Sequence, residues 1–207
     1  VGVHTLVVPH TNGDNTLVLP HTVAPQTNVV PCTVGEHTLV VPHTRGESTL
    51  VDAHTSGEQT QVLPFTIGVL TLVVPQTNGD NTLVEPQTVA PQTNVVPCTV
   101  GVQTLVVPHT RGESTLVDAH TSGESTQVEP FTIGVLTLVV PQTNGDVTHV
   151  LPFTIGVLTL VVPQTKGEST QVEPLTIGEH TLVPPQTNGD ERLVVTVTAL
   201  GKPIVTV

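Results

Sequence analysis

An eleven-residue unit repeats along almost the whole chain. Seventeen consecutive copies run from Thr5 to Glu191 and follow the pattern T-x-V-x-P-x-T-x-G-x-x. Thr at position 1, Val at position 3 and Thr at position 7 occur in every copy. Pro at position 5 is replaced only by Ala53 and Ala119, and Gly at position 9 only by Ala24 and Ala90. Repetition this regular is typical of a stacked array in which each unit contacts its neighbours.

The fixed positions 1, 3, 5 and 7 have a period of two, which indicates one face of a β-strand. Each unit therefore predicts a strand of about seven residues followed by a four-residue corner. Because Val, Ile, Arg and Ser precede the Gly as readily as Asn does, a type II turn is favoured at the corner. Pro inside the strand removes one ladder hydrogen bond per unit, so we expect a bend or an unpaired amide there.

Odd-numbered and even-numbered units differ at their corners. Position 10 is acidic in eight of the nine odd units and in three of the eight even units. Position 8 is mostly Asn, Ser or Lys in odd units, whereas six even units carry Val or Ile there. A longer repeat of six units is visible around Cys32 and Cys98 and ends near Val147. The difference between odd and even units continues beyond that point. The physical period is therefore predicted to be two units.

Two all-β architectures satisfy this period: a flattened two-sheet β-solenoid with 22-residue coils, and an antiparallel β-meander of seven-residue strands. We favour the solenoid because it buries one face between two sheets, whereas a single-layer meander leaves both faces wet. About 8.5 coils spaced roughly 4.8 Å apart predict a rod of about 40 Å. The expected organisation is a lead-in at 1–4, one β array at 5–191, and a tail at 192–207. The tail is interpreted as a β cap or as a segment that pairs with another subunit, with a turn at Leu200–Pro203.

Composition and charge exclude several classes of function. The chain has three Phe and no Trp, Tyr or Met, so the large side chains that fill most globular cores are few. Its net charge is −12 with only five Lys and Arg, which argues against nucleic acid as a partner. No run of about 18 apolar residues is present, so we expect no membrane insertion through a helix. No catalytic Ser/His/Asp set stands out from the repeat, and we predict that the protein is not an enzyme.

The Thr-Val-Pro-Thr face is expected to be buried, because the opposite face carries carboxylates such as Asp52, Glu85 and Asp118. Leu at position 2 of eleven units then lies outside. Exposed apolar rows indicate a partner, and we expect that partner to be another copy of the chain. The predicted association edge consists of the apolar residues at position 8 of the even units: Val23, Ile67, Val89, Ile133, Ile155 and Ile177.

Two sets of side chains are candidate metal ligands. Stacking of one coil on the next places His10, Cys32 and His54 in one column, and thiolate and imidazole ligands could hold Zn or Cu. The acidic corner column could bind Ca²⁺, although it lacks the dense glycine-aspartate motifs of calcium-binding β-roll repeats. Its members are Asp14, Glu36, Glu58, Asp80, Glu124, Asp146, Glu168 and Asp190.

Cys32 and Cys98 are three coils apart, which corresponds to about 14 Å of stacked strands. That separation is too long for a disulfide within one rod. The thiols are therefore expected either to stay reduced or to link neighbouring chains, as an oxidising extracellular setting would allow.

The regular Thr columns resemble those of the threonine-rich β-solenoids of some insects, which bind ice. The resemblance implies ice binding through flat, exposed Thr arrays as an alternative function. The present chain departs from that pattern in having T-x-V in place of T-x-T. Our first interpretation is a structural protein: a self-associating, extracellular or cell-surface β-solenoid that forms the shaft of a fibre, filament or adhesin.

Overall fold

A computed structural model describes residues 4–184, 186–188, 191–194 and 197–199, and this part of the chain is all β, with 33 strands and no helix. The first eleven strands are β1 (His4–Val7), β2 (His10–Asn12), β3 (Asn15–Val18), β4 (His21–Val23), β5 (Gln26–Val29), β6 (Cys32–Val34), β7 (His37–Val40), β8 (His43–Arg45), β9 (Ser48–Val51), β10 (His54–Ser56) and β11 (Gln59–Val62). The next eleven are β12 (Phe65–Ile67), β13 (Leu70–Val73), β14 (Gln76–Asn78), β15 (Asn81–Val84), β16 (Gln87–Val89), β17 (Gln92–Val95), β18 (Cys98–Val100), β19 (Gln103–Val106), β20 (His109–Arg111), β21 (Ser114–Val117) and β22 (His120–Ser122). The last eleven are β23 (Ser125–Val128), β24 (Phe131–Val139), β25 (Gln142–Asn144), β26 (Val147–Val150), β27 (Phe153–Val161), β28 (Gln164–Lys166), β29 (Ser169–Val172), β30 (Leu175–Leu182), β31 (Gln186–Asn188), β32 (Glu191–Val194) and β33 (Val197–Ala199).

Every strand pairs in parallel with the equivalent strand two units away in the sequence. Thr5 pairs with Thr27, for example, and Val7 with Val29. The same offset holds along the stack, as in the pairing of Thr82 with Thr104. This parallel register confirms the predicted β-solenoid with 22-residue coils and excludes the antiparallel meander.

The strands form three sheets where two were expected. The predicted seven-residue strand is divided in the described units, because the segment that ends at Val of position 3 stops before position 5. The break is present where position 5 is Pro and also where it is Ala53 or Ala119. Around even corners the chain continues as one strand in β24, β27 and β30. These strands join two columns into a 15-stranded sheet, while the other two columns form sheets of nine strands each.

The Pro interruption leaves most of the hydrogen-bond ladder intact. The amide of Asp52 donates to the carbonyl of Val29 on the preceding coil at 3.0 Å, and the amide of His54 donates to the carbonyl of Pro31 at 2.9 Å. Pro thus accepts a bond although it cannot donate one. The expected loss of one ladder bond per unit therefore appears as a break between two short strands.

The core is built from stacked Val side chains. One column contains Val29, Val51 and Val73 of odd units, which are fully buried. A second column, from even units, packs around Ala53 and Ala119, which occupy position 5 of odd units. The Val at position 3 of the even units therefore faces position 5 of the odd units across the core. The predicted burial of the Thr-Val-Pro-Thr face is confirmed.

Thr hydroxyl groups at positions 1 and 7 are also buried. Three of them donate to carbonyl groups of the next coil: Thr71 to Gln92, Thr137 to Leu158 and Thr159 to His180, at 3.4–3.5 Å. Others, such as that of Thr60, are shielded from solvent and have no hydrogen-bond partner among the described residues. Because a buried, unpaired hydroxyl is unfavourable, substitution of such a Thr by Val tests whether its hydroxyl lowers the stability of the core.

The predicted type II corners are wrong. Among the described glycines only Gly13 has a positive φ, 156°, far from the value of about 80° that a type II turn requires. The glycines are needed for a different reason. A Cβ atom on Gly57 would collide with the carbonyl oxygen of Gly35 on the coil below, and the same collision would occur on Gly79 above Gly57. The close stacking of the corners therefore selects glycine.

Part of the tail continues the solenoid. β32 pairs in parallel with β29, and β33 pairs with β30, each at the same two-unit offset. These strands extend the last coil in the same register. The expected turn at Leu200–Pro203 and the residues after it lie outside the described residues, as do residues 1–3 of the lead-in.

Replacing Gly57 by Ala should lower the free energy of unfolding by more than about 2 kcal/mol, because the new methyl group collides with the carbonyl of Gly35. Gly68→Ala should lower it less, since a Cβ there lies 2.7 Å from the carbonyl oxygen of Gly46. Urea unfolding measures both changes. The exposed neighbour Glu58 supplies a control, Glu58→Ala, which should change stability by less than about 0.5 kcal/mol. Equal losses for the two glycine variants would contradict the explanation.

Thr60→Val should raise the free energy of unfolding by about 1 kcal/mol or more, because it removes a buried hydroxyl that has no partner. Thr71→Val is the matched control, since the Thr71 hydroxyl donates to the carbonyl of Gln92. That variant should gain less stability or lose some. The same denaturant titration compares the two, and a loss of stability in Thr60→Val would show that its hydroxyl is satisfied in solution.

Candidate functional site

Outward-facing side chains form straight columns on the surface, because equivalent residues of successive coils are neighbours on adjacent strands. The columns therefore display the composition of each repeat position along the rod. Four of them bear on function: the even corners, the odd corners, and position 6 of the even and of the odd units.

The predicted association edge is one of these columns. Val23 pairs with Arg45, which pairs with Ile67, and the column continues through Val89, Arg111 and Ile133. Val23, Ile67 and Val89 are exposed, whereas Ile133, Ile155 and Ile177 are half-buried. The two arginines interrupt the first five coils, so the uninterrupted apolar part lies from Ile133 onward.

An apolar face surrounds that uninterrupted part. The sequence FTIGVLTLVV occurs at 65–74, at 131–140 and at 153–162, and the last two copies are one coil apart, so identical residues lie side by side in β24 and β27. Leu136 is 49% and Leu158 46% exposed. These two copies in β24 and β27 follow the even corner, and neither copy contains a charged residue. We call this surface the apolar face; its members are Phe131, Ile133, Val135, Leu136, Leu138, Phe153, Ile155, Val157, Leu158 and Leu160.

Aromatic rings form a ladder at position 6 of the even units. His21 lies 6.1 Å from His43, which lies 5.9 Å from Phe65, both edge to face. Higher in the column, Phe131 and Phe153 stack with centroids 5.1 Å apart and an interplanar angle of 6°. All three Phe of the chain lie in this column. The ladder supports one border of the apolar face.

The odd corners carry the predicted acidic column. Asp14, Glu36, Glu58, Asp80, Glu124, Asp146 and Glu168 are exposed at successive corners, and Val102 interrupts them. Asp190 lies outside the described residues. The carboxylates project from corners that are linked by backbone bonds, such as the bond from the amide of His37 to the carbonyl of Asp14 at 2.8 Å. This edge is strongly negative, in contrast to the even corners.

The structure aligns His10, Cys32 and His54 as the sequence predicted. Cys32 pairs with His10 on one side and with His54 on the other. A row of strands about 4.8 Å apart spreads the three side chains over nearly 10 Å, whereas zinc ligands converge within about 2.3 Å of the metal. Among the described residues, no group of three or more His, Cys, Asp or Glu side chains is arranged to hold a metal ion. Cys32 and Cys98 are both free thiols.

The Thr columns that would support ice binding face the interior. Thr27, Thr60 and Thr132 are fully buried, and the other described Thr residues of positions 1 and 7 are mostly buried as well. Ice binding by the arrangement that the sequence resembles needs exposed Thr rows. No observation in the described part of the chain favours that alternative.

Sequence reasoning found the corner columns but missed the apolar face and the aromatic ladder. Both become visible when the sequence is written with two units on each line, because two copies of FTIGVLTLVV then fall on consecutive lines. Sorting single positions by odd and even units does not show that neighbouring positions are apolar in the same two coils.

No protein-family model matches the chain, and neither the curated proteins nor the solved structures contain a match to it. In the described part of the chain there is no helix long and apolar enough to cross a membrane.

Proposed function

We propose that the protein is a structural, self-associating rod that forms the shaft of a fibre, filament or surface adhesin outside the cell. The observation that carries this proposal is the parallel register between coils. Because this register is the same at each step, the upper edge of a coil can pair with the lower edge of any other coil. A rod built in this way has stiffness along its axis and, among the described strands, an unpaired edge at each end.

The ends of the described sheets support association end to end. One nine-stranded sheet begins with β2 and finishes with β31, and the other begins with β3 and finishes with β32. The offset between these end strands is a whole number of coils. A second copy that continues the register would therefore place its β2 on β31, its β3 on β32 and its β4 on β33. Unpaired strand edges are templates for such pairing.

The apolar face supports association side by side. Its two identical rows expose Leu136, Leu158 and Val135, while the odd corners on the other edge carry the acidic column. Large exposed apolar patches mark interaction sites, and an acidic edge disfavours contact between like edges. Lateral contact through the apolar face would leave the charged corners in water.

Electron microscopy with fibre diffraction tests the proposal first. Filaments with a spacing near 4.8 Å along their axis are expected if rods stack end to end. Isolated rods of about 40 Å at every concentration and ionic strength would contradict it. Leu17→Pro sharpens this test, because the alternation of amide directions in a parallel strand places the Leu17 amide on the open side of the terminal strand β3.

Leu17→Pro should shorten or abolish filaments while the monomer stays folded, since Pro is tolerated in an edge strand whose amide faces solvent. Leu17→Ala is the matched control: it removes the exposed side chain, keeps the amide, and should leave filament length unchanged. Circular dichroism verifies folding, and micrographs give the length distribution. Filaments of unchanged length in Leu17→Pro would show that β3 takes no part in assembly.

Leu136→Glu combined with Leu158→Glu should weaken lateral association, because it places two charges in the centre of the apolar face. Sedimentation velocity would show a shift from bundles toward single rods or filaments, with at least a tenfold higher concentration needed for bundling. Leu83→Glu, on the outer surface of β15, supplies the control and should have little effect. Equal effects of the charges at both places would indicate general charge repulsion and would count against a specific face.

A further inference from the structure

Two coils of the rod carry the same group of departures from the repeat. Cys32 is followed one coil later by Asp52, Ala53 and His54, and Cys98 is followed in the same way by Asp118, Ala119 and His120. These are the only two Cys of the chain and the only two units without Pro at position 5. The exceptional residues are thus concentrated at two equivalent places on the odd-unit surface.

Each Cys is the strand neighbour of the His. Cys32 pairs with His54 between β6 and β10, and Cys98 pairs with His120 between β18 and β22. The next residue of each pair, Thr, is buried, so the Cys and His side chains lie on the outer surface. Neighbouring strands are about 4.8 Å apart, which brings thiol and imidazole within reach of each other after rotation of the side chains.

An aspartate lies beside each imidazole. The Nδ1 atom of His54 is 3.7 Å from Oδ1 of Asp52, and the Nε2 atom of His120 is 3.8 Å from Oδ1 of Asp118. Both Oδ1 atoms are shielded from solvent and have no hydrogen-bond partner among the described residues. A carboxylate oxygen at this position can orient the imidazole beside it, as the Asp does for the His in each pair.

Ala at position 5 links the Asp to the His. Ala53 and Ala119 are fully buried and pack in the Val core of the even units. In the other fifteen units position 5 is Pro, which restricts the backbone between positions 4 and 6. The exchange for Ala occurs only where positions 4 and 6 are Asp and His. The backbone change and the two polar side chains therefore belong to one local structure.

We propose that Cys32 and Cys98 are nucleophilic thiols that react by exchange with a disulfide of a small molecule or of another protein. The His takes the thiol proton, the Sγ atom attacks one sulfur of the disulfide, a new S–S bond forms, and the old S–S bond breaks. The departing thiolate receives the proton from the imidazolium. The product is a mixed disulfide on the rod and one free thiol, so no further oxidant is needed.

The geometry favours a reaction with an outside disulfide over a bond between the two cysteines. Cys98 is exposed and Cys32 half-buried, and three coils separate them. Cys98 and His120 also line an open groove on the odd-unit surface. His120 is the titratable residue paired with Cys98, with Asp118 beside its ring, and Gln76 occupies the other side.

The surroundings of Cys32 differ from those of Cys98 in one respect. His54 and Asp52 lie on one side of Cys32, as their counterparts do at Cys98, but His10 occupies the other side. Cys32 therefore has two imidazoles beside it where Cys98 has one. The site at Cys98 is the simpler one to test, because a single substitution removes its only neighbouring base.

The test uses the aromatic disulfide 5,5′-dithiobis(2-nitrobenzoate), whose exchange releases a coloured thiolate. Cys32→Ser leaves Cys98 as the single thiol, with one imidazole beside it. In this background His120→Gln should slow the reaction at pH 7 by about tenfold or more, and Asp118→Asn should slow it less. His149→Gln, on another sheet, is the matched control and should leave the rate unchanged. Cys98→Ser with both His10→Gln and His54→Gln repeats the experiment at the other site.

A free cysteine derivative at the same pH supplies a second comparison that does not rely on a variant. Cys98 should react faster than this derivative, because the adjacent imidazole can accept the thiol proton. The proposal is overturned if His120→Gln reacts within twofold of its parent, or if Cys98 reacts no faster than the free derivative. Circular dichroism verifies that each variant is folded.

Discussion

The backbone hydrogen bonds from each coil to the next are the interaction on which the rest of the structure depends. The chain has few large apolar side chains, and its core consists of Val columns with Thr on either side. Because a core so thin contains few large side chains, the rod depends on the regular ladder that joins each coil to the next. The ladder tolerates one Pro per unit because the Pro carbonyl still accepts a bond from the coil above, as Pro31 does from His54.

Close stacking also restricts the corners. The corner carbonyl of one coil lies where the next coil would place a Cβ atom, so Gly is selected by contact between coils and not by its own backbone conformation. Both alanines at this position, Ala24 and Ala90, lie at even corners. The even corners differ from the odd ones in a second way, since the strand runs through them without a break in β24, β27 and β30.

The period, the buried face and the corner columns could be predicted from the sequence because each depends on residue type at a fixed spacing. Alternating Thr and Val identify the buried face, and the contrast between Asp14 and Val23 identifies the two corners. The turn type could not be predicted, since the reason for Gly57 lies in its contact with Gly35 on the coil below. The proximity of Asp52 to His54 was missed for a different reason: both residues lie in one unit, but the contact depends on the outward direction of two side chains and not on the residue type at a single repeat position.

The alternation of odd and even units restricts how such a chain can change its length. Insertion of two units adds one coil and leaves every column in place. The six-unit repeat around Cys32 and Cys98 corresponds to three whole coils. Insertion of a single eleven-residue unit would preserve the repeat and the buried face. It would also transfer every later acidic corner to the apolar edge, and each later Cys to the opposite side of the rod. Lineages of such rods should therefore grow in whole coils, although the repeat itself is half a coil long.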